Sequence, residues 1–229
     1  MVPHTFGVEH FAYLGITLAI GIIAFILLKK FVKTDEQKEI MFRVLGVIAM
    51  ISVIASRLSI AFIKYHNAWY LIPDSYCGMS SLLLAISLLF FKKDNLILHA
   101  IWLIVIAGMV ATLVYPDFLG QSPYFFYLPT ITGLWHHTVS LFNIICVLAF
   151  GYMKLSIKKS WVQPIAIATY VLTGLFMIYV AGIEGAMSIK VPVVEGTPLY
   201  FWLLIVIYSV VYWAIMITIE LIRRKKTAN

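Results

Sequence analysis

Seven apolar stretches dominate this sequence of 229 residues, and each is about as long as a membrane-spanning helix. A helix needs about 20 predominantly apolar residues to cross the roughly 30 Å of hydrocarbon in a bilayer. The stretches cover residues 10–28, 40–63, 75–92, 96–115, 128–152, 161–182 and 198–222. They predict an all-α, polytopic membrane protein in which residues 1–229 form one domain of seven transmembrane helices.

The composition excludes a soluble domain. Hydrophobic residues make up 62% of the chain and charged residues only 12%, whereas a soluble domain carries about 25% charged residues to face water. Two cysteines are too few for a disulfide scaffold. The net charge of +7 does not indicate nucleic-acid binding, because the basic residues lie between apolar stretches, where they set membrane orientation.

The basic residues fall mainly on one side of the predicted bundle. Thirteen of the 17 lysines and arginines follow the first, third, fifth and seventh stretches, whereas only Lys64 and Lys190 lie in loops on the other side. Cytoplasmic loops of membrane proteins are enriched in Lys and Arg. The asymmetry therefore predicts an N-terminus outside the cell and a C-terminus in the cytoplasm.

Most of the remaining ionisable and reactive side chains lie in the predicted outer half of the membrane. Ionisable groups within a membrane are costly and usually face the protein interior. The outer set consists of His10, Arg57, Asp74, Cys77, Asp117, His136, His137 and Glu184. Asp117 and Glu184 are equally consistent with ordinary loop residues at the membrane interface. As a set, these side chains predict a functional site near the outer face.

Arg57 is placed about 12 Å below the outer end of the second helix, at a rise of about 1.5 Å per residue. Ser52, Ser56 and Ser59 recur at helical spacing and share a face near it. One interpretation is a cavity wall in which the guanidinium binds a lipid phosphate. The alternative is hydrogen bonding between helices by small polar side chains.

Cys77 is the candidate nucleophile. The segment PDSYCG at residues 73–78 predicts a helix N-terminus in which Asp74 is the N-cap and Cys77 lies in the first turn. The free N–H groups and the dipole at a helix N-terminus favour the thiolate form of a cysteine. The alternative role is that of a small packing residue, which is the interpretation that suits Cys146 within the fifth stretch.

The adjacent residues His136 and His137 supply a candidate base. A histidine within reach of a thiol is the usual arrangement for nucleophilic catalysis by cysteine, and His137 is the favoured residue. A two-histidine metal site is the weaker alternative, because neighbouring helix positions do not converge on one metal as positions i and i+4 do. We therefore expect neither a metal nor another cofactor.

Short motifs at four places in the chain carry a family resemblance: Glu9-His10, Pro73 with Cys77, Tyr115-Pro116-Asp117, and His137. In these motifs the chain resembles the YwaF family of bacterial membrane proteins, which is related to human transmembrane protein 164. The resemblance implies an acyltransferase that acts on phospholipids through a cysteine. It matches Cys77 to the nucleophile and His137 to the base, and it places His10 and Asp117 near the site.

These observations predict a membrane acyltransferase of the outer leaflet that moves a fatty acyl chain between lipids through a cysteine thioester. Its catalytic residues would be Cys77, His137 and His136, and its candidate substrate-binding residues are Arg57, His10, Asp117 and Glu184. Membrane lipids are the expected substrates, and no nucleic-acid partner is expected. The expected location is the bacterial plasma membrane.

Two other functions remain open at this point. The first is a non-enzymatic small-molecule transporter or lipid-binding membrane protein, in which the polar residues line a substrate pocket. Transporters often have helices broken at the membrane midplane, and Gly and Pro do not cluster within the stretches here. The second is a transacylase that relies on two histidines, which would survive replacement of Cys77.

Overall fold

The computed structural model describes residues 5–119, 121–194 and 196–228, apart from the side chains of residues 117, 227 and 228. The described chain is all-α, as the sequence predicts. Its seven α-helices are α1 (Val8–Phe31), α2 (Asp35–Ser59), α3 (Tyr76–Phe90), α4 (Leu96–Val114), α5 (Leu128–Ala149), α6 (Val162–Tyr179) and α7 (Phe201–Ala228). A π-helical turn, Ile60–Lys64, extends α2.

Six of these helices are long and apolar enough to cross a bilayer, so the protein is a polytopic membrane protein. The helix α3 differs from the prediction, because it has only 15 residues. At about 1.5 Å per residue it rises about 22 Å, which is less than the roughly 30 Å of hydrocarbon. It ends before the basic pair Lys92-Lys93, where the chain turns towards α4.

The helices α2, α3, α4 and α5 form the centre of the bundle. The helix α2 packs against α3 and α5, and α4 packs against α3, α5 and α6. Apolar residues of α2 recur at helical spacing and are buried, among them Phe42, Leu45, Ala49 and Val53. By contrast, His10 is the one buried residue of α1, which leaves the apolar surface of that helix to the surrounding lipid.

Gly46 allows α2 and α3 to approach each other closely. A Cβ atom at this position would lie 3.0 Å from both Leu88 Cβ and Leu89 Cγ, which is closer than ordinary van der Waals contact. Small residues at helix interfaces serve this purpose in membrane proteins. The contact holds α3, which carries Cys77, against α2, which carries Arg57.

Asp94 ties the helix linkers together at the end of the bundle opposite Cys77. Its N–H donates to the Tyr152 carbonyl at 2.9 Å, and its carboxylate accepts from His99 Nε2 at 2.8 Å and Lys159 Nζ at 2.5 Å. The backbone N–H of Lys154 also donates to the carboxylate. Burial alone would raise the pKa of Asp94, but these donors together lower it to about 2. Asp94 is therefore a charged anchor between the α3–α4 and α5–α6 linkers.

Candidate active site

The first turn of α3 is built differently from the sequence prediction. Ser75, rather than Asp74, is the N-cap, and its Oγ accepts a hydrogen bond from the N–H of Gly78 at 3.2 Å. Asp74 instead accepts a hydrogen bond from Arg57 Nη1 at 2.8 Å. The N-cap thus lies one residue later than predicted, and Asp74 pairs with a cation from α2. Cys77 remains within the first turn, where the helix dipole favours an anion.

The sulfur of Cys77 faces α4. The nearest side-chain hydroxyl in the described structure is that of Thr112, whose Oγ1 lies 3.5 Å from Sγ. Gly108 lies one turn earlier on α4, and a Cβ atom there would be 3.0 Å from the sulfur. The absence of a side chain at Gly108 therefore leaves room for the thiol between α3 and α4.

Cys77 lines an apolar cavity of about 370 Å³ between α3, α4, α6 and α7. This volume falls within the range of about 300–1,000 Å³ that is usual for small-molecule pockets. Most of its lining is aliphatic or aromatic, and the polar atoms come from Cys77, Thr112 and three tyrosines. Two of those tyrosine hydroxyls are engaged within the protein, since Tyr76 donates to the Met187 carbonyl and Tyr170 bonds to Ser80. The cavity is thus an apolar chamber with a thiol in its wall.

His137 is held in one orientation by α5 itself. Its Nδ1 lies 2.6 Å from the carbonyl oxygen of Gly133, and because a carbonyl can only accept, Nδ1 carries the proton. The neutral ring then presents Nε2 as an acceptor. The ring also stacks on Phe118, with an angle of 21° between the planes. This is the tautomer that a general base requires.

His136 lies beside His137, with a distance of 3.9 Å between the ring centroids. It is buried, and neither of its ring nitrogens makes a hydrogen bond of normal geometry. Neither histidine is among the residues that line the Cys77 cavity. The side chain that contacts the thiol is Thr112 rather than an imidazole. The structure therefore places the thiol and the histidine pair in neighbouring parts of the bundle without direct hydrogen bonding between them.

Arg57 lies between these two parts. Its guanidinium is close enough to interact electrostatically with Cys77, His136 and His137. It forms an ion pair with Asp74, in which the two side chains are 9% and 24% exposed. A Cβ atom at Gly78 would lie 3.2 Å from Ser75 Oγ and 3.4 Å from the guanidinium carbon, so the cation lies against the capped start of α3.

Two other candidate residues, His10 and Glu184, do not line the cavity. His10 uses both ring nitrogens to hold α1 in place, because Nε2 donates to the Leu113 carbonyl at 2.8 Å and Nδ1 accepts from the N–H of Phe6 at 3.1 Å. Glu184 is exposed in the loop after α6 and does not line the cavity. Asp117 begins a 3-10 turn, Asp117–Leu119, and its side chain lies outside the described residues.

Sequence reasoning missed Gly108 and Thr112. They are spaced i and i+4, which places them on one face of α4. That spacing was visible in the sequence, but nothing local to α4 indicated that this face is turned towards Cys77.

Fold and site together define a polytopic helical membrane protein with a cysteine in the wall of an apolar cavity. Comparison with protein-family models identifies the chain more closely: it belongs to the TMEM164 family, whose model matches residues 5–220. This confirms the resemblance inferred from the short motifs. No curated protein and no solved structure matches the chain.

Proposed function

We propose that this protein is an integral membrane acyltransferase that moves a fatty acyl chain between lipids through a thioester on Cys77. The observation that carries the proposal is the position of Cys77 in the first turn of α3 and in the wall of the apolar cavity. An apolar chamber suits a hydrocarbon chain. A thiol at a helix N-terminus suits attack on the carbonyl carbon of that chain.

In the first half-reaction, His137 takes the proton of the Cys77 thiol through a bridging water, because the thiol and the imidazole are not hydrogen-bonded to each other. The sulfur then attacks the ester carbonyl of a donor lipid, so that the C–S bond forms and the ester C–O bond breaks. The leaving lysolipid oxygen recovers the proton from the imidazole. Because Nδ1 of His137 is engaged by Gly133, Nε2 is the nitrogen that exchanges this proton.

In the second half-reaction, the hydroxyl of an acceptor lipid gives its proton to His137 and attacks the thioester. The C–S bond breaks and the thiol is restored. Each half-reaction passes through a tetrahedral oxyanion, which requires hydrogen-bond donors. Gly78 N–H is already bonded to Ser75, so the proposed donors are the N–H groups of Tyr76 and Cys77 and the hydroxyl of Thr112.

The polar part of the lipid is assigned to Arg57. One guanidinium nitrogen binds Asp74, and the fork of an arginine carries five N–H donors, so others remain for a phosphate. The hydrogen bonds of His10 support a role in holding α1, and Asp117 and Glu184 are kept as candidate contacts for the polar part of the lipid outside the cavity. The assignment of the phosphate to Arg57 agrees with the preference of arginine for phosphate groups.

The orientation of the protein in the membrane is part of the same proposal. Six long apolar helices support a multi-pass location, and the excess of basic residues in the loops opposite Cys77 favours a cytoplasmic placement for those loops. The cavity would then open in the outer half of a bacterial plasma membrane. A reporter fused to the C-terminus tests this, and an external signal would move the site to the inner leaflet.

Acyl transfer itself is tested with purified protein in proteoliposomes that contain an isotope-labelled diacyl phospholipid and an unlabelled lysophospholipid. We expect labelled acyl chains on the acceptor, and a hydroxylamine-sensitive acyl group on Cys77 by mass spectrometry. The Cys77→Ala variant should lose both, and the matched Cys146→Ala variant should keep both. Transfer that survives Cys77→Ala but requires both histidines would indicate the two-histidine transacylase. Lipid binding without transfer would indicate the transporter or lipid-binding alternative.

A further inference from the structure

A seam of buried polar side chains runs between α2 and α5. It comprises Ser52, Ser56 and Ser59 on α2, and Thr132, His136, Ser140 and Asn143 on α5. The residues recur at spacings of three and four, which places each set on one helix face. The seam therefore replaces, over several turns, the apolar packing that the rest of this interface uses.

Two hydrogen bonds fix the register of the antiparallel helices α2 and α5. The hydroxyls of Ser59 and Thr132 lie 2.9 Å apart, and Asn143 Nδ2 donates to the Leu45 carbonyl at 3.0 Å. Ser56 and His136 each lie about one turn from the first of these bonds, in the direction of the second. The two side chains are thus at the same level of the seam.

Polar atoms without partners concentrate in this seam. Seven buried side-chain nitrogen or oxygen atoms of the described residues have no hydrogen-bond partner of normal geometry, and four belong to Ser56, His136 and Asn143. Buried polar groups in native proteins are almost always bonded to protein or to ordered water. Hydrogen bonds between helices satisfy two pairs of hydroxyls: Ser59 bonds to Thr132, and Ser140 on α5 donates to Ser81 on α3 at 2.9 Å. These bonds do not account for the unpartnered atoms of Ser56, His136 and Asn143.

We propose that the α2–α5 seam binds ordered water molecules at two places, one at the level of Ser56 and His136 and one at Asn143. Water matches this set because a hydroxyl both donates and accepts, a neutral imidazole has one donor and one acceptor, and the Asn143 Oδ1 atom accepts. A buried water typically makes about three hydrogen bonds, which the seam supplies from two helices.

The seam has one closed end and one polar end. Beyond Asn143 it meets a buried apolar cluster that includes Phe42, Leu88 and Val147, which offers water no partner. At the other end, Ser59 and Thr132 continue the polar face towards the loops near Cys77. The direct hydrogen bond between Ser59 and Thr132 lies between His136 and that end of the bundle.

X-ray radiolytic labelling of the full-length protein in nanodiscs tests this directly, because hydroxyl radicals formed from a bound water modify the side chain beside it. We expect dose-dependent oxidation of His136, whereas Cys146 should be spared. Cys146 is the matched internal control, since it lies on the same helix, is fully buried in the apolar cluster, and is intrinsically more reactive towards the radical. Labelling of His136 no greater than that of Cys146 would overturn the proposal.

Two variants locate the water. Ser56→Val should lower the oxidation of His136 severalfold, because it removes a bridging partner. Ser160→Val is the control, since Ser160 also has a buried unpartnered hydroxyl but does not belong to the seam; it should leave the oxidation of His136 unchanged. Equal effects of both variants would contradict a site on the α2–α5 seam. The wild-type measurement needs no lipid substrate, so its outcome is independent of acyl transfer.

Discussion

The two cysteines of this protein occupy opposite kinds of surroundings. Cys77 lies in the first turn of a helix, lines a cavity and has a hydroxyl near its sulfur. Cys146 lies near the far end of α5 and is fully buried among apolar side chains such as Ile144 and Val147. An anion is strongly disfavoured in such an apolar environment. Helix termini and cavities, rather than residue type, therefore decide what a thiol in a membrane protein can do.

The largest expected effect is a difference in labelling between the two thiols. An activated ester or alkylating lipid analogue should modify Cys77 and spare Cys146, because only Cys77 lines a cavity and has both a hydroxyl and a cation near its sulfur. Peptide mass spectrometry of the labelled protein measures both sites at once. Equal and slow labelling of both cysteines would make Cys77 a structural residue and favour the transporter or lipid-binding function.

Replacement of the base sharpens the same comparison. His137→Ala should lower both the labelling of Cys77 and acyl transfer by about 100- to 10,000-fold, the usual contribution of general base catalysis. His66→Asn is a suitable control, because His66 is exposed and has a φ of 50°, a conformation that asparagine tolerates. Cys77 reactivity that is indifferent to His137 would remove the histidine from the mechanism.

A smaller effect is expected from Gly108→Ala. The new Cβ would lie 3.0 Å from the Cys77 sulfur, so the thiol must shift by a few tenths of an ångström. A misplacement of about 1 Å can cost about 100-fold in rate, so we expect a loss of about tenfold in Cys77 labelling. Gly15→Ala, where the Cβ meets nothing within 4 Å, should change nothing. A faster reaction in Gly108→Ala would show that the α4 contact does not position the sulfur.

The smallest effect on the site is expected from Asp94, at the end of the bundle opposite Cys77. Asp94→Asn keeps a residue that tolerates the φ of 59° but loses charge-assisted hydrogen bonds, which should cost about 1–3 kcal/mol of stability. Asp35→Asn is the control, because the ion pairs of Asp35 are exposed to solvent and such pairs contribute little to stability. Thermal unfolding in detergent measures both, and Cys77 labelling of the folded proteins should be unchanged. A large loss of Cys77 reactivity in Asp94→Asn would show that the two ends are coupled.

The pH dependence of unfolding follows from the same carboxylate. The pKa of Asp94 is lowered to about 2 in the folded protein, compared with about 3.9 in an unfolded chain. Its contribution to stability is therefore complete above pH about 4 and is lost as the pH falls from about 4 to about 2. Wild-type protein should lose melting temperature more steeply than Asp94→Asn over that interval. Parallel curves for the two proteins would contradict the role of Asp94 as a charged anchor.

Much of the fold was predictable because its determinants are local. Apolar stretches give the positions of the helices in the chain, and all seven occur within a few residues of their expected positions. The PDSYCG segment correctly predicts that Cys77 lies in the first turn of a helix. The short motifs were enough to indicate the family that the comparison shows.

Contacts between helices were not predictable in this way. Asp74 has an ordinary N-cap sequence, but the cation that engages it lies 17 positions earlier on another helix. His10 was a candidate substrate contact from its position in the chain, whereas its partner Leu113 lies 103 positions away. The hydroxyl nearest to the thiol, that of Thr112, comes from α4.

The sequence by itself thus determined the all-α membrane class, the helix positions and the placement of Cys77 at a helix N-terminus. Only the tertiary structure decided that this thiol meets Gly108 and Thr112, that Arg57 pairs with Asp74, and which histidine ring is oriented by a hydrogen bond. The physical reason is that hydropathy and capping act over a few neighbouring residues. The rotation and register of one helix against another depend on packing across the whole bundle.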